Sequence, residues 1–213
     1  MSKNSISFII FLFILINCTG VPQKYYSYNF KNINSILVLP FETYSSNSKS
    51  PFYCPADFII PGEIKSGAEE IMNNLLKNEL SNLSDRYSFI FLSSIEYKSI
   101  LAEILKNSEN FKDIVKELAK KTNTNAILYG KIFRFKEREG SGFSIKEPAS
   151  VAFVLMLYDG DSGQVLWRKI FDETQEPLSK NLFKLKLYGK IKWLTAKELA
   201  QQGIKNIFES FPK

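Results

Sequence analysis

Histidine is absent from the 213-residue sequence. That removes the commonest general base and every Ser-His-Asp or Cys-His arrangement for nucleophilic catalysis. Cysteine occurs twice, at Cys18 and Cys54. With no histidine beside them, they leave no ligand set for a zinc site, and neither a metal nor a cofactor is expected. Glycine supplies no phosphate loop, because Gly140-Ser141-Gly142 is followed by neither Lys-Ser/Thr nor a helical pattern. No apolar run reaches the ~20 residues that a membrane-spanning helix needs. Dense basic stripes are missing too. The formal charge of +6 is spread along the chain, which argues against a nucleic-acid partner.

What is present begins at the N-terminus. Lys3 lies in a polar start, residues 6–16 are apolar except for Ser7, and Asn17 and Cys18 follow. A basic start, a short apolar core and a small polar exit describe a secretory signal. Leu15-Ile16-Asn17-Cys18-Thr19-Gly20 resembles the lipobox of bacterial lipoproteins, with Leu15 fitting its aliphatic position and Asn17 departing from the usual Gly, Ala or Ser. The resemblance implies that Cys18 carries a diacylglyceryl thioether and becomes the first mature residue. Each buried acyl methylene contributes ~0.8 kcal/mol, and more than one chain gives stable anchoring. Family usage at the next position, where aspartate marks inner-membrane retention, makes Thr19 point to the outer membrane. Cys54 then stands alone, so no intramolecular disulfide is expected. It reads as a partly buried loop residue, with an intermolecular disulfide as the alternative.

The expected organisation is a signal peptide at 1–17, a lipidated tether at 18–33 and one globular periplasmic domain at 34–213. Hydrophobic content of 45% and aromatic content of 14% exclude a disordered chain. The tether carries Pro22 and Tyr25, Tyr26 and Tyr28. Its fifteen residues after Cys18 extend at most about 50 Å, so the domain stays near its membrane.

Along the domain, 36–41 reads as a buried first strand ended by proline. Residues 42–61 form a long loop, of a length that is usually functional or mobile. Residues 62–83 carry an apolar stripe of helical period through Ile64, Ala68, Ile71, Leu75, Leu76 and Leu80. Residues 87–92 read as a strand. Ser93 with Glu96 forms a capping box for a helix with Ile100, Leu101, Ile104 and Leu105 on its buried side. Asn110 caps another helix, with Ile114, Val115, Leu118 and Ala119 on one face. Residues 126–139 read as a strand that emerges into solvent after Gly130. Residues 149–159 are apolar on both faces, as in a central strand, and a turn at 159–163 returns the chain through 165–172. Residues 173–193 give no clear pattern. Thr195 and Glu198 box the start of the last helix, with Leu194 and Leu199 as a hydrophobic staple. The implied fold is α/β (α+β), a mixed sheet of about five strands with packed helices and a C-terminal antiparallel meander.

A few side chains invite chemistry. Asp159-x-Asp161-x-Gly163 resembles part of a calcium loop, but the later ligands are missing and a polar hairpin turn explains it better. Glu137 and Glu139, on one face of one strand, could pair for glycoside hydrolysis with Asp172 nearby; solvated edge residues are the plainer reading. Trp167 and Trp193 could be carbohydrate platforms, although packing explains them more simply.

Three segments together resemble a superfamily of envelope lipoproteins. They are the first strand ending in Leu39-Pro40-Phe41, the stretch Ala126-Ile127-Leu128-Tyr129-Gly130, and the turn Asp161-Ser162-Gly163-Gln164-Val165-Leu166-Trp167. The superfamily includes curli-secretion lipoproteins and lipoprotein activators of penicillin-binding proteins. The resemblance implies an anticodon-binding-domain-like fold that works by protein–protein contact. The expected role is therefore a non-enzymatic, lipid-anchored protein that binds or assembles envelope or peptidoglycan-associated proteins at the outer membrane. Its expected partners are the membrane, through the anchor, and those proteins; a homo-oligomer remains open. The alternatives are a ring-forming export subunit and a peptidoglycan- or polysaccharide-acting enzyme using acidic residues. The candidate contact residues are Tyr53 and Phe58 in the long loop and Phe143 at the hairpin tip.

Overall fold

The computed structural model describes residues 30, 33–45, 50–52, 54, 58–140, 145–176 and 193–212. Among these residues there are eight strands: β1 (Ser35–Val38), β2 (Glu42–Thr43), β3 (Ser88–Phe91), β4 (Ala126–Lys136), β5 (Glu139–Gly140), β6 (Ile145–Glu147), β7 (Ser150–Asp159) and β8 (Val165–Thr174). They are joined by helices α1 (Ala68–Leu80), α2 (Ser94–Ile104), α3 (Phe111–Thr122) and α4 (Ala196–Phe208). The main sheet runs β3-β1-β4-β7-β8, and β2 continues the line of β1 along β4. β1 pairs in parallel with β3 and β4, whereas β4, β7 and β8 form an antiparallel meander. The mixed α+β fold read from the sequence is thus the fold observed.

Helices cover both faces. On one face α1 and α4 bury Met72, Leu76, Ile204 and Ile207 against Ile36, Val38, Leu128, Phe153 and Leu155. On the other, α2, α3 and part of the long loop bury Tyr97, Ile114, Leu118, Phe52 and Ile59 against Leu37, Leu39, Ile127, Tyr129, Val154 and Met156. β7 sits between these layers and is buried along its length up to Asp159, which accounts for its apolar residues on both faces.

The caps stand where the sequence puts them. Ser93 with Glu96 and Thr195 with Glu198 form complete capping boxes, and the Asn110 side chain accepts from Lys112 N–H. Leu194 and Leu199 are buried in the same core cluster. The 159–163 turn is closed by Asp159, which accepts from Ser162 N–H at 2.8 Å, with Gly163 at φ 67°. Its carboxylate is engaged within the turn.

Three expectations need correction. The first long helix starts at Ala68, not residue 62. Gly62, Glu63 and Lys65 instead exchange backbone hydrogen bonds with Phe133 and Phe135 of β4, and Gly67 turns the chain at φ 80°. Sheet pairing satisfies those backbone groups outright, so the helical spacing of Ile64 does not prevail. Secondly, β4 ends at Lys136, and Glu139 belongs to the separate β5–β6 ribbon. β4 also stays buried through Phe133 and Phe135 instead of emerging after Gly130, because Phe52 and Ile59 of the long loop share a core cluster with Phe133 and Ile64 packs in the cluster of Phe135. Thirdly, Leu105 is exposed, and Tyr97 takes the buried place on α2.

Candidate interaction surface on the 42–62 excursion

The long loop leaves the sheet and returns to it at adjacent points. β2 lies beside β4 with Glu42 opposite Lys131 and Thr43 opposite Ile132. Tyr44 N–H donates to the Ile132 carbonyl at 2.7 Å, and Gly62 N–H donates to the Phe133 carbonyl at 3.0 Å. Both ends of the excursion are therefore held by consecutive residues of one central strand. Arg134, the next residue, donates to the Ile60 carbonyl at 2.7 Å and pairs with Asp172. Ser150 accepts from Arg134 Nε at 2.5 Å and bonds Thr174 at 2.6 Å, so three strands contribute to this mooring.

Beneath the excursion lies a polar cluster. The Glu42 carboxylate accepts from Tyr129 Oη and Ser50 Oγ, each at 2.8 Å, and from Tyr97 Oη at 3.0 Å. Those donors come from β4, the loop and α2. Burial, and then the Glu42 charge, hold the Tyr97 and Tyr129 hydroxyls far above the usual tyrosine range. Burial also raises Tyr158. Phe52 fills the space alongside, stacked on Tyr129 with centroids 4.8 Å apart and edge-on to Phe111 at 6.1 Å. Cys54 is half-buried against the same layer, as a partly buried loop residue should be.

Above this fixed layer the excursion exposes apolar side chains. Phe58 is 67% exposed and Ile60 76% exposed, while Ile59 between them is buried. Tyr44, at the departing end, is 37% exposed and stacks on Phe133 at 5.3 Å. Alternation anchors one residue and presents its two neighbours. Lys131 lies beneath Tyr44, with its ammonium 5.8 Å from the ring centroid and only 8% of the residue exposed.

Of the residues singled out from sequence, Phe58 lies on this surface; Cys18, Tyr53 and Phe143 fall outside the described residues. The acidic candidates have structural partners. Glu137 lies beyond the end of β4 and accepts from Ala196 N–H at 3.0 Å, at the start of α4. Asp172 is paired with Arg134. Glu137 and Glu139 therefore do not share a strand, contrary to the sequence reading. Trp167 is core, with Nε1 donating to the Ser210 carbonyl at 3.1 Å. Trp193 is half-buried, and its carbonyl accepts from Arg138. Two hollows of about 230 and 480 Å³ flank β3, and none of the candidate contact or acidic residues lines them. Among the described residues no cluster of His, Cys, Asp and Glu could hold a metal, and no helix is long and apolar enough to cross a membrane.

No family model matches the chain, and no curated protein matches it. Solved structures do. The PelC dodecamer from Paraburkholderia phytofirmans is 12% identical, with 83% of this chain and 85% of that one covered at a TM-score of 0.47. Lipoprotein GNA1162 from Neisseria meningitidis is 16% identical, covering 67% and 83% at 0.42. The C-terminal domain of LpoB from Salmonella enterica is 14% identical, covering 67% and 84% at 0.37. A lipoprotein is thus among the solved structures that the chain is similar to, at low identity.

Sequence reasoning missed Glu42, Tyr97, Tyr129 and Lys131. The available signal was the alternation Tyr129-x-Lys131-x-Phe133, which places all three on one strand face.

Proposed function

We propose that this protein is a non-enzymatic, lipid-anchored envelope protein that binds partner proteins at the outer membrane, periplasmic face. One observation carries the reading. Tyr44, Phe58 and Ile60 are exposed on a segment whose two ends are fixed to β4 and whose underside rests on a fully hydrogen-bonded carboxylate. Exposed apolar side chains on a rigid base spare a partner the entropy of ordering a loop. Such neighbours are unusual on a surface that has no partner.

Asn125 Oδ1 accepts from Ser35 N–H at 3.2 Å, where the chain enters the sheet from the expected tether. Arg134 lies nine residues further along β4, about 30 Å away at ~3.3 Å per residue. The chain entry and the exposed residues thus lie at opposite ends of β4. The catalytic alternative draws no support from Glu137 and Asp172, whose carboxylates serve α4 and Arg134.

Crosslinking in intact cells, followed by purification from membranes, tests the reading. A specific partner should be recovered with the native chain and lost with the Phe58→Ser, Ile60→Ser double variant. Equal recovery with both would remove the assigned surface. Cys18→Ser should move the chain from the membrane to the soluble fraction; continued membrane retention would remove the anchor.

A further inference from the structure

We propose that Lys131 is the cation of a binding site for an acidic side chain, Asp or Glu, carried by the protein partner on an apolar segment. The proposal deepens the function above and rests on it. Lysine is seldom buried without a partner, because a charge removed from water needs compensation. Lys131 is more than nine-tenths buried, yet among the described residues its ammonium forms neither an ion pair nor a hydrogen bond. Its ammonium lies 5.8 Å from the centroid of the Tyr44 ring.

The nearest acid by register, Glu42, is committed elsewhere. It stands opposite Lys131 across β2 and β4, but its oxygens accept from Tyr97, Tyr129 and Ser50. Three hydroxyl donors satisfy that carboxylate without the lysine. The Lys131 stem is buried while its ammonium, absent from the buried atoms that lack a partner, keeps an opening to solvent beside the Tyr44 ring. An incoming carboxylate would meet a cation held in place by its buried stem, with which it can form a charge-assisted hydrogen bond.

Charge count selects the ligand class. One cation with a carboxylate one strand away favours a singly charged anion over a doubly charged phosphate. The neighbouring Tyr44 ring and the exposed Phe58 and Ile60 favour an anion with an apolar body. An acidic side chain flanked by apolar residues meets both demands.

Benzoate, benzamide and inorganic phosphate serve as probes on the full mature chain, followed by NMR of the Tyr44 ring and the Lys131 side chain. Benzoate should shift both signals saturably, with benzamide and phosphate at least about tenfold weaker. Lys131→Met should abolish the response with unchanged far-UV circular dichroism, and Lys131→Arg should retain it. Equal binding of benzamide, phosphate binding as tight as benzoate, or an undiminished response in Lys131→Met would each overturn the site. Crosslinking separates its failure from that of the surface. A partner lost with Phe58→Ser, Ile60→Ser but kept with Lys131→Met leaves the surface and removes the acidic contact. A partner kept in both variants removes the surface itself.

Discussion

Glu42 accepts a hydrogen bond from the Tyr129 hydroxyl at 2.8 Å, joining residues 87 positions apart in the chain. The bond ties the start of the 42–62 excursion to the central strand that also receives its end. Tyr97 adds a second tether from α2 at 3.0 Å. Removing the carboxylate strands both buried hydroxyls at once. Glu42→Ala should lower the unfolding free energy by about 3 kcal/mol, and Tyr97→Phe by about 1–2 kcal/mol, as measured by urea denaturation. A loss below about 0.5 kcal/mol in Glu42→Ala would mean the cluster does not stabilise the fold.

The same hydroxyls set an alkaline limit. Tyr97, Tyr129 and Tyr158 have folded-state values raised well above their ordinary one, mainly by burial. The unfolded chain releases these protons near pH 10, whereas the folded chain keeps them. Their stabilising contribution is complete below about pH 10 and is lost as pH rises beyond it towards the folded values. Absorbance of tyrosinate near pH 11 should show these residues ionising only together with unfolding. Smooth titration of every tyrosine in the folded chain would contradict the burial.

Helix α4 depends on its first turn. Thr195 Oγ1 accepts from Glu198 N–H at 3.1 Å, and Glu137 accepts from Ala196 N–H. Thr195→Ala should cost about 1 kcal/mol in thermal or denaturant unfolding. Gly163→Ala should cost at least as much, about 1 kcal/mol or more, because φ is 67° and a Cβ there would lie 2.8 Å from the Lys112 backbone. A neutral result at either position would show that the local geometry relaxes.

Phe58 and Ile60 present the opposite case. Both are largely exposed, so Phe58→Ser with Ile60→Ser should change stability by no more than about 0.5 kcal/mol while removing partner recovery. Calorimetry on the double variant checks the first part. A large drop in melting temperature would show that these side chains hold the fold instead of presenting a surface.

Much of the architecture was legible because it is written locally. Asn110 and the stripe Ile114, Val115, Leu118 and Ala119 announce α3 within ten residues, and the structure buries that face. The apolar run of β7 announces a strand covered on both sides. Ser93, Glu96, Thr195 and Glu198 announce two helix starts. The errors fall where a distant segment decides. Residues 62–65 have helical spacing, but their backbone partners are Phe133 and Phe135, some 70 positions away. Lys131 looked like a solvated strand residue because nothing nearby in sequence predicts a loop over it. Phe58 was found through loop length, and its neighbours Tyr44 and Ile60 were not, because exposure depends on what the rest of the chain leaves uncovered.

By itself, then, the sequence determined element order, capping, the central strand and the absence of histidine chemistry, since each follows from residue type and spacing within one turn or strand. Which acids are occupied, which lysine lacks a counter-charge and which aromatic rings face outward were decided by tertiary contact alone. Electrostatic and packing energies depend on distances between groups far apart in the chain, and only folding sets those distances.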